Sequence, residues 1–125
     1  MTAWTNDEPE KISAADELQL ASRREDGTLR KPVTIWVVRR SEDLYVRAFK
    51  GRTSHWFRAT QGRREGQIQA GDMLKDVAFV DPDQSIGDAL DAEYWSKYSR
   101  YGARYVDPMV SAEARGATIK LIPRT

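Results

Sequence analysis

The sequence predicts an α+β protein, mainly β: a six-stranded antiparallel split β-barrel carrying two main helices. Three observations point there. The apolar runs are short and alternate with polar residues at period two. Tight turns join most of them, too short for the helical crossover that parallel strands require. Only two stretches carry helical spacing. A sheet of this kind escapes exposed edges by closing on itself. With 125 residues, 40% of them hydrophobic and 31% charged, the chain suffices for one globular domain with a real core. We take residues 1–11 as a flexible acidic leader and 12–125 as a single split-barrel domain.

"ELQLAS" alternates as a first strand, and Asp26-Gly27 turns it back toward "KPVTIWVVRR". Asp-Gly between extended runs marks a type I′ hairpin, with positive φ at both central residues. The second strand, over residues 33–38, is built of β-branched and aromatic residues, and Pro32 is tolerated at its start. A third strand follows "SEDL": Leu44, Val46 and Ala48 face the core, while Tyr45, Arg47 and Phe49 face outward. Thr53 or Ser54 caps a short helix from His55 that ends at the glycines Gly62 and Gly66. "GQIQAG" and "MLKDVAFV" pair through Gly71-Asp72. Ser85 then caps the longest helix, whose Ile86, Leu90, Tyr94, Tyr98 and Tyr101 form one apolar stripe ending at Gly102. "ATIKLIPRT" is the last strand.

Cysteine is absent and His55 is the one histidine, so disulfides, thiol catalysis and a protein-only zinc site are excluded or disfavoured. No apolar run approaches the roughly 18 residues of a membrane span, and the polar N-terminus lacks a secretory core, so we expect a cytoplasmic protein. The net charge of +1 hides a segregation: residues 1–21 carry −4, residues 22–64 carry +8 and residues 65–125 carry −3. An anion would be drawn to the middle third.

Within that third, Lys50-Gly51-Arg52-Thr53-Ser54-His55 joins hydroxyls, cations and a glycine ahead of a helix, the parts of a phosphate site. Arg30 and Lys31, opening the second strand, complete it if the two strand ends meet. The plain alternative is an ordinary capped helix among surface cations, with His55 a surface residue. Trp36, Trp56 and Phe57 offer either an aromatic wall for a planar ligand or core packing. "EYWSKYSRYGARYV" interleaves Tyr94, Trp95, Tyr98, Tyr101 and Tyr105 with cations, a pattern that also stacks on nucleic-acid bases. Its helical spacing and acidic surroundings favour a buried stripe over a nucleic-acid surface. No nucleophile–base pair is visible, so an enzyme built on this chain needs a cofactor for its chemistry.

"ASRREDGTLRKPVTIWVVRRSEDLYVRAFKGRTSHWFR", with "GQIQAG", "KDVAFV", "YWSKYSRYG" and "DPMV", resembles the bacterial family of domain of unknown function 2255 over nearly the whole chain. More distantly, the pattern of strands and of the glycine-containing turn into Trp-aromatic is similar to the split β-barrels that bind FMN or the deazaflavin coenzyme, deazaflavin-dependent nitroreductases among them. The resemblance implies a homodimer with the cofactor near the interface. It implies phosphate contacts from Arg30, Lys31, Lys50, Arg52, Thr53 and Ser54, with Trp56 near the ring. Two departures stand out: Glu25-Asp26-Gly27 replaces a Lys/Arg-Ser-Gly turn, and no long Gly/Pro segment covers a deazaflavin tail. The expected function is thus a barrel binding FMN or a deazaflavin coenzyme, either as an oxidoreductase acting on a small molecule or as a non-enzymatic ligand-binding or protein-interaction module.

Overall fold

The computed structural model describes residues 4–124 except Asn6. Its strands are β1 (Glu17–Ser22), β2 (Val33–Trp36), β3 (Val38–Arg40), β4 (Asp43–Arg47), β5 (Glu65–Ala70), β6 (Met73–Val80) and β7 (Thr118–Pro123). They form one antiparallel sheet in the order β2-β1-β5-β6-β7-β4-β3. The two edge strands, β2 and β3, are neighbours in the chain, so the sheet curls into a nearly closed barrel with a seam between them. This is the split-barrel class, with seven strands in place of the six expected.

The extra strand arises because the run over 33–38 divides at Val37. Val37 N–H donates to the Tyr98 hydroxyl at 3.1 Å, and its carbonyl accepts from Lys97 Nζ at 2.7 Å. A helix, not a neighbouring strand, satisfies these buried groups, and the chain can then cross from one edge of the sheet to the other. Inside the barrel, Leu18, Leu20, Leu44, Val46, Ile68, Val77, Phe79, Ile119 and Leu121 form the core. Gly66 lies within β5 instead of ending a helix; a Cβ there would come within 2.3 Å of the Ala21 carbonyl and 2.7 Å of Phe79.

Five α-helices are present among the described residues: α1 (Glu8–Ala14), α2 (His55–Thr60), α3 (Gly87–Tyr98), α4 (Ala103–Val106) and α5 (Ala112–Gly116). Of the leader expected over 1–11, residues from Glu8 onward are helical, with Pro9 in the first turn and Ile12 buried in the barrel core. The expected stripe holds in its middle: Leu90, Tyr94 and Tyr98 are fully buried, whereas Ile86 precedes α3 and Tyr101, in the 3-10 turn after it, is 42% exposed; Gly102 at φ +95° ends the run. Ser85 does not cap it: α3 follows a 3-10 turn over Gln84–Ile86, which Asp83 caps by accepting the Ser85 N–H at 2.9 Å. The hairpin at Asp26-Gly27 has positive φ at Gly27 only, so it is not type I′; Asp26 instead accepts from both the Thr28 N–H and its hydroxyl.

A second core, of Val38, Tyr45, Leu90, Tyr94, Tyr98, Val106 and Met109, fills the space between the outer face of β3–β4 and helices α3 and α4. With the barrel core on one side and the helical layer on the other, both faces of β4 are buried. That layer positions the candidate site.

Candidate functional site

Two cavities meet at Arg47. The larger, about 530 Å³, is lined by Val33, Ile35, Trp36, Trp56, Phe49, Tyr105 and Met109, with Glu17, Thr34, Arg47 and Arg104 among its polar residues. The smaller, about 390 Å³, is lined by Arg47, Arg52, Asp81, Asp83, Arg115 and Thr118. One is a wall of rings and branched aliphatics; the other is a nest of charges.

Arg47 was expected to face solvent from the outer side of its strand. It is buried instead, because α3 and the 107–110 turn cover that side, leaving its side chain 0% exposed. Every arm of the guanidinium is engaged. Nε donates to Thr118 Oγ1 at 3.0 Å, Nη1 to Asp91 Oδ1 at 2.6 Å and to the Met109 carbonyl at 2.9 Å, and Nη2 to the Gly87 carbonyl at 3.2 Å. Asp91 is shared with Arg115, which also pairs with Asp88. The Arg47 guanidinium lies 5.3 Å from the ring centre of Tyr94, whose buried hydroxyl has no hydrogen-bond partner. Burial raises the Tyr94 pKa far above the ordinary phenol value, against the pull of Arg47. With four of its five N–H groups on protein partners and no exposed side-chain surface, the guanidinium braces the helices.

The aromatic wall is braced from behind. Trp36 stacks on Tyr98 with ring centres 3.9 Å apart and planes 1° from parallel, and on Tyr101 at 5.7 Å. The Tyr98 hydroxyl, 2.5 Å from the Asp16 carbonyl and 2.9 Å from that of Val37, pins the ladder to the seam. Lys97 crosses the same seam, donating to the Ala15 and Val37 carbonyls at 2.8 and 2.7 Å; burial pushes its pKa down to about 8. At the mouth, Phe49 and Tyr105 are 52% and 57% exposed, each with a cation over its ring: Lys50 at 5.7 Å and Arg104 at 6.0 Å.

Among the residues singled out from the sequence, Trp56 lines the aromatic cavity and Arg52 the charged one, on opposite sides of Arg47. Arg52 donates to the Gly116 carbonyl at 2.8 Å and covers the Phe57 ring at 5.2 Å. Thr53 bonds back to the Lys50 carbonyl at 3.4 Å, and Ser54 precedes the six-residue α2 without a side-chain cap bond. His55 is exposed. Arg30 has a buried Nε without a partner, and Lys31 is exposed. Among the described residues, no hydrogen bond or ion pair links Arg30 or Lys31 with the Lys50–Ser54 loop. Trp36, for which the sequence leaves wall and core open, lines the aromatic cavity and packs against the second core. Arg47, Phe49, Arg104, Tyr105 and Met109 were not foreseen as lining a site. The signal for Arg47 was present in its strand: an outward face carrying Tyr45 and Phe49 on either side of an arginine asks for a covering layer.

Among the described residues, no cluster of three His, Asp or Glu is placed to hold a metal ion, and no helix is long and apolar enough to cross a membrane. The chain belongs to the family described as uncharacterized proteins conserved in bacteria, DUF2255, whose model matches residues 8–121. No curated protein matches the sequence significantly. Several solved structures share the fold. A heme-binding protein from Mycobacterium smegmatis is 11% identical with a TM-score of 0.60, over 95% of this chain and 50% of its own, so this chain spans half its length. An FAD-binding protein from Mesorhizobium loti is 14% identical with a TM-score of 0.58, over 98% of this chain and 88% of its own. An F420 reductase is 14% identical with a TM-score of 0.50, over 92% and 90%. At such identities the likeness shows the fold alone.

Proposed function

We propose that this member of the family is a cytoplasmic homodimer that binds FMN or a deazaflavin coenzyme in the aromatic cavity and passes hydride to a small molecule. The observation that carries this reading is the cavity itself. Its 530 Å³, walled by Trp36, Trp56, Ile35 and Val33, falls within the roughly 300–1,000 Å³ of small-molecule sites and has their apolar lining with a few polar groups. The cofactors named for the structural neighbours, FAD and F420 among them, support it.

The residues fit a planar ring. Two indoles offer flat apolar surface, and Glu17 and Thr34 offer acceptors to ring N–H groups. When bound, the coenzyme supplies the two-electron chemistry that side chains lack. The chain's own part is to orient and to exclude water: Tyr98 holds the Trp36 plane fixed, and Val33, Ile35 and Met109 keep the chamber dry. One observation favours a second reading, a non-enzymatic binding module: Arg47, the buried cation at the cavity, has four of its five N–H groups on structural partners.

The test is a titration with FMN and, separately, the deazaflavin coenzyme, followed by cofactor fluorescence. Saturable micromolar binding, weakened about tenfold or more in Trp36→Ala as an aromatic contact is lost, supports the reading. Binding of neither cofactor ends it. Binding without turnover of any hydride acceptor selects the binding module.

A further inference from the structure

We propose that Arg104 is a specificity-determining residue of this cavity, and that its ligand is an aromatic ring system bearing an acidic group, which Arg104 holds at the mouth. The inference deepens the cofactor reading and rests on it for the location of the site.

The first support is how the cations of residues 65–125 are used. Lys75 pairs with Glu8, Arg100 with Asp16, Arg115 with Asp88 and Asp91, Lys120 with Asp43, and Arg124 with Glu65. Lys97 is held by two backbone carbonyls. Among the described residues of this net-acidic stretch, Arg104 is the one cation with neither a hydrogen-bond nor an ion-pair partner. It lines the cavity and rests only against the Tyr105 ring. A guanidinium placed on an apolar cavity and left uncommitted is suited to pairing with an anionic group.

The second support is local architecture. Gly102 at φ +95° turns the chain into α4, and Val106, 0% exposed, anchors that helix in the second core. The four-residue helix thus holds Arg104 and Tyr105 outward on a fixed base. Across the mouth lining, Phe49 and Tyr105 leave more than half of their surface uncovered, which a ring system entering the cavity would bury. Lys50, over Phe49, adds positive potential at the same rim.

The competing cations are less suited. Arg47 is fully buried with four of its five N–H groups on structural partners, and Arg52 donates to the Gly116 carbonyl beside a cavity that also holds Asp81 and Asp83. Glu17, on the aromatic cavity's lining, opposes an anion. Its neutralisation should therefore strengthen the preference and not weaken it.

The experiment measures dissociation constants for two matched pairs: FMN against riboflavin, which lacks the phosphate, and 8-anilinonaphthalene-1-sulfonate against uncharged N-phenyl-1-naphthylamine. Each is titrated into wild type, Arg104→Gln, Arg52→Gln and Glu17→Gln, with melting temperatures confirming that the exposed-site variants fold. A charge-assisted contact predicts that wild type prefers the anionic member by about tenfold or more. Arg104→Gln should erase that preference while leaving the uncharged member's affinity unchanged. Arg52→Gln should keep it, and Glu17→Gln should widen it.

Equal affinity within both pairs overturns the proposal, as does a preference lost in Arg52→Gln but kept in Arg104→Gln. In either case flavin binding that depends on Trp36 leaves the cofactor reading standing. If neither flavin binds but the naphthalene pair is still discriminated through Arg104, the cofactor reading fails and the proposal stands. Binding of none of the four probes overturns both.

Discussion

The two cavities on either side of Arg47 are built from opposite materials. In the charged one, interactions are already satisfied within the protein: Arg115 is shared between Asp88 and Asp91, Arg52 is on a carbonyl, and Asp83 caps the turn before α3. In the aromatic one, the mouth holds an unpartnered guanidinium and two exposed rings. A charge cluster whose members satisfy one another holds helices to a barrel. A surface whose favourable contacts remain unmade is where a ligand has most to gain. Charge density alone points to the other cavity than the one proposed here.

The sharpest way to break this contrast is Arg47→Leu. If the guanidinium is a brace, its loss leaves Asp91 with Arg115 alone and takes a donor from the Met109 and Gly87 carbonyls and from Thr118. Removing one member of a buried, hydrogen-bonded pair costs about 3–5 kcal/mol. We expect a fall of that size in unfolding free energy by denaturant titration. A variant within about 1 kcal/mol of wild type, the range of a surface ion pair, would show that the guanidinium is not structural and would return it to the ligand side.

Tyr98→Phe sharpens the comparison from the other direction, since it keeps the ring behind Trp36 and deletes only the hydroxyl at the seam. Val37 N–H then loses its acceptor while buried, at a cost of about 1–3 kcal/mol. The aromatic wall stays in place, so flavin affinity should remain within about twofold of wild type, in contrast to Trp36→Ala. A stability loss with unchanged affinity separates the scaffold of the wall from its surface. A large affinity loss would mean that the seam itself shapes the site.

Much of the barrel was legible because hydrophobic alternation is a local property. β1, β5, β6 and β7 lie within a residue or so of where the pattern put them, and Leu90, Tyr94 and Tyr98 bury as their spacing required. What was not legible depends on contacts distant in sequence. The break at Val37 is made by Tyr98, 61 residues away, and nothing in "VTIWVV" announces it. The burial of Arg47 depends on Asp91 and Met109, 44 and 62 residues away. The Lys50–Ser54 loop has the composition of an anion cradle, yet Arg52 and Thr53 close on nearby carbonyls. Tyr105 and Arg104 were read as part of an aromatic–cation stretch; only the fold shows that they stand at the mouth of a cavity. The α1, α4 and α5 helices, of four to seven residues, are too short to show a full helical period.

The smallest expected effect is a pH dependence at the seam. Lys97 has an ordinary pKa of 10.5, and its burial lowers this to about 8, the effect of Arg100 adding to it and that of Asp16 opposing it. Between about 8 and 10.5 the unfolded chain thus holds a proton that the folded chain has released. By linkage, stability rises with pH across that window, and the burial penalty is fully present below it. The seam contacts survive the titration, because a neutral amine still has two N–H groups for the Ala15 and Val37 carbonyls. Tyr94 and Tyr98 work in the opposite sense: burial raises them above their ordinary 10.0, so their contribution is lost only as pH passes that value. Denaturant midpoints measured from pH 7.5 to 9.5 should therefore climb for wild type relative to Lys97→Met, in the pH range where this lysine titrates. Parallel curves for the two proteins would show that Lys97 keeps its charge in the fold, and that water reaches the seam behind the aromatic wall.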